Sequence, residues 1–162
     1  MSGKVKTLET LRSMRMALKE RGKTVVFTNG CFDLLHAGHI HLLKEARKLG
    51  DVLVVGVNDD ASVRKLKGRG RPIFPLPERL EILEAIEFVD HLIPFAEETP
   101  RSLIEALLPD VLVKGGDWTP ETVVGREEVE RAGGRVVCVP YVKGHSTSEL
   151  LRRIKNRFSE KK

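Results

Sequence analysis

Short apolar runs alternate along this chain with stretches in which apolar positions recur every three or four residues. Thr24–Thr28, Val52–Val57, His91–Phe95, Val111–Val113 and Arg135–Val139 have the length and β-branched content of buried strands. Between them, Ile40–Leu49, Glu78–Phe88, Pro100–Leu108, Glu121–Ala132 and Ser146–Arg157 carry the helical period. Gly50 follows the first of these in a C-cap role, and Pro75 and Pro77 lead into the second. Residues 7–21 make a further amphipathic helix, with Leu8, Leu11, Met14 and Leu18 on one side, free to cover the chain's own sheet or a partner.

This β–α rhythm predicts an α/β fold built on an open, mostly parallel five-stranded sheet with helices on both faces. Such sheets bind ligands at the C-terminal ends of their strands, where the strand order reverses. There is no internal repeat or long linker. The expectation is one domain over 1–162, with 1–21 as an N-terminal helical extension and Lys161 and Lys162 as a frayed tail.

Composition narrows the function classes. A 41% hydrophobic and 31% charged chain reads as water-soluble and globular. No apolar run approaches the ~18 residues of a membrane span. Met1–Thr7 is mostly polar with no secretory apolar segment after it, so a cytoplasmic location is expected. Cys31 and Cys138 lie far apart inside apolar segments, which offers neither a disulfide framework nor a zinc spacing. The net charge of +5 is mild and suits an anionic small substrate. A binder of single-stranded nucleic acid would interleave aromatics with its cations, and this chain has one Trp and one Tyr, so no nucleic-acid partner is expected.

Two phosphate motifs fail on inspection. Gly22-Lys23-Thr24 resembles the end of a P-loop, but position 17 is Ala and no strand precedes it. Gly68 and Gly70 resemble a dinucleotide fingerprint, but its third glycine would fall at Ile73.

The segment after the first strand is different. Asn29-Gly30 permits a positive φ and close backbone approach, and Cys31, Phe32 and Asp33 follow. Then come His36 and His39, with Gly38 between them. A helix starting near Ala37 or Gly38 puts both imidazoles on one side of its first turn, beside backbone N–H groups that lack partners and carry positive potential. Two imidazole donors there make an oxyanion site. The rival readings are a simple helix cap and a zinc pair, and no third zinc ligand is nominated by spacing.

An H-x-G-H signature behind a strand and G-x-F-D resembles the cytidylyltransferase-like nucleotidyltransferase superfamily. The resemblance runs from about Gly22 to Ile154 and implies a Rossmann-like sheet. It implies that His36 and His39 stabilise the transition state at the α-phosphorus of a nucleoside triphosphate, with Mg²⁺ carried by the triphosphate and no covalent enzyme intermediate. Arg64, Lys65, Lys67, Arg69 and Arg71 place five cations in eight residues, which reads as a solvated basic loop or a phosphate clamp. By resemblance Lys67 is the catalytic lysine of that loop, while Lys65, Arg71 and Arg79 would hold the substrate phosphate. Lys114, Gly116 and Asp117 at the end of the fourth strand would form part of the nucleotide pocket. Ser146 and Glu149 make a capping box, and Gly144, Ser146, Thr147 and Ser148 resemble the family's hydroxyl-rich phosphate motif.

Within the superfamily, 27–39, 57–63, 67–72 and 112–117 most resemble adenylyltransferases acting on D-glycero-β-D-manno-heptose 1-phosphate. That implies ATP and a sugar phosphate as substrates and ADP-heptose for the lipopolysaccharide core as product. These enzymes occur alone or fused to a sugar kinase, and this sequence reads as a stand-alone version and as a homo-oligomer, a dimer. Glycerol-3-phosphate cytidylyltransferases share the loop, but their arginine before Val89-Asp90 is replaced by Glu87-Phe88, and their R-T-x-G reads Tyr141-Val142-Lys143-Gly144. A non-catalytic nucleotide-binding module would use the same pocket.

Overall fold

A computed structural model describes residues 3–159, so Lys161 and Lys162 lie outside the described residues. The elements run α1 (Leu8–Glu20), β1 (Val25–Gly30), α2 (Ala37–Arg47), β2 (Val52–Asn58), α3 (Asp60–Lys67), α4 (Leu76–Glu84), β3 (His91–Phe95), α5 (Arg101–Leu107), β4 (Val111–Gly115), α6 (Arg126–Arg131), β5 (Arg135–Val139) and α7 (Thr147–Ser159). The five strands pair in parallel throughout, in the order β3-β2-β1-β4-β5. Val5 extends the β3 edge through a parallel bridge to Leu92.

Alternation along each strand sorts the core into two layers. Val26, Val55, Val57, Val111 and Val113 face α2 and α4, where Leu43, Ala46 and Leu83 are buried. Val25, Phe27, Val54, Ile93 and Leu112 face the other way, toward Leu11 of α1, Leu103, Ile104 and Leu107 of α5 and Val129 of α6. The apolar stripe of α1 is therefore spent on the chain's own sheet.

Aspartates just ahead of three strands fix the start of the sheet. Asp51 accepts from Thr24 N at 2.8 Å, Asp110 from Val25 N at 2.8 Å and Asp90 from Leu53 N at 2.7 Å. These strand-initial donors would otherwise go unpaired.

Two expectations for the helices are corrected. The basic segment is not a loop throughout, because 60–67 form α3. Asp59 caps it by accepting from Ser62 N at 2.8 Å, and the run of cations hides a helix whose buried face is only Ser62 and Val63. The helix expected over Glu121–Ala132 is broken into a 3₁₀ turn at Pro120–Thr122 and α6. Gly125 lies between them at φ +86°, and a Cβ there would stand 2.7 Å from Ile104.

Candidate active site

The order 3-2-1-4-5 makes the chain reverse between β1 and β4, and a cavity of about 780 Å³ opens at that point. Asn29 and Gly30 of β1, Lys114 and Gly115 of β4, and Gly116 just after it reach it from the strand ends. The loop after β1 turns sharply, with Phe32 at φ +50° and Leu34 at φ +51°. Gly30 itself is not at positive φ. Its lack of a side chain makes room for the Phe32 ring, which would come within 3.1 Å of a Cβ at position 30.

His36 is the N-cap of α2. Its Nδ1 accepts from Gly38 N at 3.1 Å, and Nδ1 of His39 accepts from His36 N at 3.2 Å. A neutral imidazole carries one N–H, so accepting at Nδ1 leaves Nε2 as the donor of both rings. The rings stack with centroids 3.8 Å apart. Gly38 is required for this arrangement, because a Cβ there would stand 2.9 Å from the His36 ring and 2.9 Å from the His145 carbonyl oxygen. Burial lowers the pKa of both imidazoles. His36 is also lowered by His145, and His39 falls to about 3, with the charge of His36 adding to the effect of burial. At neutral pH both are uncharged N–H donors.

The carboxylate of Asp33 is buried. One oxygen accepts from Arg71 Nε and Ile73 N, each at 2.7 Å, and the other from Phe74 N at 2.9 Å. Burial opposes its charge, but the amides of Phe74 and Ile73 and the guanidinium of Arg71 hold its carboxyl below the usual range. Asp33 thus anchors the 71–74 segment beside the histidines. Its backbone carbonyl accepts from Thr147 Oγ1 at 3.0 Å, which ties the start of α7 to the same loop. Ser146 Oγ caps α7 by accepting from Glu149 N at 3.1 Å. The reciprocal half of the capping box is not formed, since Glu149 pairs with Arg152 at 3.0 Å.

The cavity gathers sixteen of the nineteen expected residues: Asn29 to Asp33, His36, Gly38, His39, Lys67, Arg71, Lys114, Gly116, Gly144 and Ser146 to Ser148. Lys67 enters from the end of α3. Arg71 uses Nε on Asp33. Lys114 lies 5.2 Å from the Trp118 ring centre, and burial lowers its pKa. Burial also pushes the Cys31 thiol up, despite Lys67, Arg79 and Arg71 nearby, so it is protonated at neutral pH and unsuited to nucleophilic attack.

Three expected residues lie outside the cavity lining. Arg79 is fully buried, donating to Phe74 O at 3.0 Å, Cys31 O at 2.6 Å, Asn58 O at 2.7 Å and Asp60 Oδ1 at 2.7 Å. It ties three loops together and cannot reach a substrate phosphate. Lys65 points to the rim, 3.8 Å from Glu98. Asp117 sits beside the lining residues Gly116 and Trp118 without joining them. Sequence reasoning missed Trp118, Tyr141, Glu98 and Thr99 on the cavity wall. A signal existed for the first two, because the only Trp and Tyr of the chain each follow a strand end of the expected site.

Fold and site together define a Rossmann-like α/β protein with a stacked pair of neutral histidines at a helix start, in the cavity where the strand order reverses. The cytidylyltransferase-like family model matches residues 27–156, and the chain belongs to that family. It is 52% identical over 157 residues to the bifunctional protein HldE of Syntrophotalea carbinolica, covering 97% of this chain and 32% of that protein. It is 55% identical over 152 residues to HldE of Geotalea uraniireducens, covering 94% of this chain and 31% of the relative. The chain thus spans about a third of the length of the curated relatives it matches. Among solved structures, the lipopolysaccharide core biosynthesis protein of Thermoplasma volcanium is similar at 34% identity and a TM-score of 0.60, covering 75% of this chain and 98% of that one. Pantoate-β-alanine ligase of Francisella tularensis, at 15% identity and a TM-score of 0.58 over 97% of this chain and 78% of that one, shares the fold alone. Among the described residues no helix is long and apolar enough to cross a membrane.

Proposed function

We propose that this chain is one nucleotidyltransferase unit that transfers AMP from ATP to D-glycero-β-D-manno-heptose 1-phosphate, giving ADP-heptose and pyrophosphate. The observation that carries this reading is the stacked pair His36 and His39, uncharged and presenting Nε2–H groups at the strand-order reversal. The acceptor follows from the resemblance of 27–39, 57–63, 67–72 and 112–117, and the HldE relatives and the lipopolysaccharide core protein agree with it.

In this mechanism the acceptor's phosphate oxygen attacks the α-phosphorus in line as pyrophosphate leaves. Little covalent chemistry falls to the protein, and its task is to position and to stabilise charge. His36 and His39 donate to the α-phosphate oxygens and to the oxygen bridging to pyrophosphate. Lys67 spans the attacking and leaving groups, and Arg71, steadied by Asp33, supports the acceptor phosphate. The base and ribose lie along Lys114–Gly116, and the β- and γ-phosphates meet Gly144 and the hydroxyls of Ser146, Thr147 and Ser148. The lining offers amides, imidazoles and cationic groups, a donor set suited to phosphate oxygens. Mg²⁺ fits it as an ion carried on the triphosphate, where it neutralises charge.

The reaction is placed in the cytoplasm, supplying the lipopolysaccharide core. The working form is a dimer formed through α7, which buries none of its own residues and exposes Ile154 and Phe158 on one side.

Pyrophosphate release from a matrix of ATP, CTP, GTP and UTP against heptose 1-phosphate, glycerol 3-phosphate and hexose 1-phosphates tests the reading. ATP with heptose 1-phosphate is expected to be the fastest pair. Fastest turnover of CTP with glycerol 3-phosphate would replace the acceptor and base while keeping the chemistry. ATP binding with no release in any cell would leave a non-catalytic module.

A further inference from the structure

Among the described residues two carboxylates line the cavity, Asp33 and Glu98, against the cations Lys67, Arg71, Lys114 and Lys143. Asp33 is buried and already accepts hydrogen bonds from Arg71, Ile73 and Phe74. Glu98 is not. Its side chain is 58% exposed, and its nearest cation, Lys65, stands 3.8 Å away, beyond hydrogen-bond reach. A half-exposed carboxylate with only this long ion pair, in a cavity lined mostly by cations and amides, repels the charged part of either substrate. It is suited instead to accept hydrogen bonds from hydroxyl groups.

Its place in the fold separates it from the nucleotide. Glu98 follows β3, which lies two strands from β1 on the side opposite β4 and β5. Lys114 ends β4, Gly116 and Trp118 follow it, and Tyr141 follows β5, so in the sheet order these residues and Glu98 reach the cavity from opposite sides of β1, the strand that leads to the histidines. The Glu98 wall is also held in place. Asn58, only 2% exposed, donates from Nδ2 to Glu97 O at 3.3 Å and to Ser62 Oγ at 3.2 Å. Asp59 N donates to Phe95 O at 2.9 Å, and buried Pro100 ends the segment at the start of α5.

We propose that the Glu98–Thr99 segment, pinned by Asn58, is the acceptor-reading wall, with the Glu98 carboxylate and the Thr99 hydroxyl binding the ring and side-chain hydroxyls of a sugar phosphate. The inference rests on the transferase reading above and adds the residue that tells a polyol from a short acceptor. A site that hydrogen-bonds substrate hydroxyls rejects analogues lacking them, because its own polar groups are then left unpaired.

The test compares wild type, Glu98→Ala and Glu98→Gln in pyrophosphate release, with KM measured separately for heptose 1-phosphate and for ATP. Glu98 is exposed, so both variants are expected to fold. Glu98→Ala is expected to raise KM for the sugar phosphate at least about ten-fold, the weight of a hydrogen bond to a charged group, with KM for ATP unchanged. Glu98→Gln keeps an acceptor oxygen but no charge and should recover part of the loss, which an ion-pair role with Lys65 would not allow. An unchanged sugar-phosphate KM in an otherwise active Glu98→Ala, or a loss falling on ATP instead, would overturn the inference alone. A wild type that releases no pyrophosphate with any sugar 1-phosphate would overturn the transferase reading, and the inference with it.

Discussion

A histidine can serve a phosphate site as a cation, as an acid or as a neutral donor, and its hydrogen bonds and burial decide which. His36 and His39 both accept a backbone N–H at Nδ1 and are both depressed by burial, which makes them neutral donors. Because His39 is lowered to about 3, turnover should show no acid limb from this residue near the ordinary 6.5. The stability effect has a definite sign. The unfolded chain takes up a proton at His39 below pH 6.5 and the folded chain does not, so this contribution is complete above 6.5 and is lost as pH falls toward 3. Urea midpoints measured from pH 7.5 down to 5 should fall less steeply in His39→Asn than in wild type, and equal slopes would refute the neutral assignment. Gly38→Ala forces a Cβ against the His36 ring and the His145 carbonyl, each at 2.9 Å. A displacement of about 1 Å at a reacting centre costs on the order of 10²-fold, so kcat should fall by about that factor while far-UV circular dichroism is unchanged. A fully active Gly38→Ala would mean that the placement of the rings does not matter.

At the scale of elements, the loops around the site are held by buried charge. Arg79 joins α4 to the ends of β1 and β2 through four hydrogen bonds, so Arg79→Ala removes one side of a buried network. A loss of about 1–3 kcal/mol in unfolding free energy is expected from the buried carbonyls left without a donor, read by urea denaturation. Unchanged stability with a raised KM for the sugar phosphate would return Arg79 to the substrate. An arginine beside a phosphate site looks the same in sequence whether it faces the ligand or the loops that hold the ligand, and only burial separates the two. Strands were legible to within two residues at each end, because continuous Val, Leu and Ile runs leave one solution. α3 was not, since a short helix with a narrow buried face has too few apolar positions to show a period. The split of 121–132 was hidden for another reason. Gly125 reads as a tolerated helix glycine until its contact with Ile104 is known. His36, Gly38 and His39 were readable because a cap, a close contact and a donor fall within four residues of one turn. Glu98 was not, since the sheet order alone brings it opposite β4 and β5.

For the whole molecule, the reversal of the chain between β1 and β4 places two loops, two helix starts and a basic helix end around a single cavity. Both sheet faces are covered by the chain's own helices, and α7 is left with its apolar side open. Light scattering should give the mass of a dimer for wild type and of a monomer for Phe158→Glu, and a monomeric wild type would reject α7 as a dimer contact. The central claim concerns the α-phosphorus, and the fate of label from [α-³²P]ATP under single-turnover conditions tests it most directly. The account predicts that the label appears in an ADP-sugar on addition of heptose 1-phosphate. It also predicts that His36→Ala slows this transfer by about 10²–10³-fold, the usual cost of one preorganised donor, with ATP affinity within a few-fold of wild type. Label left in ATP or released as ADP, or a His36→Ala rate close to wild type, would contradict it.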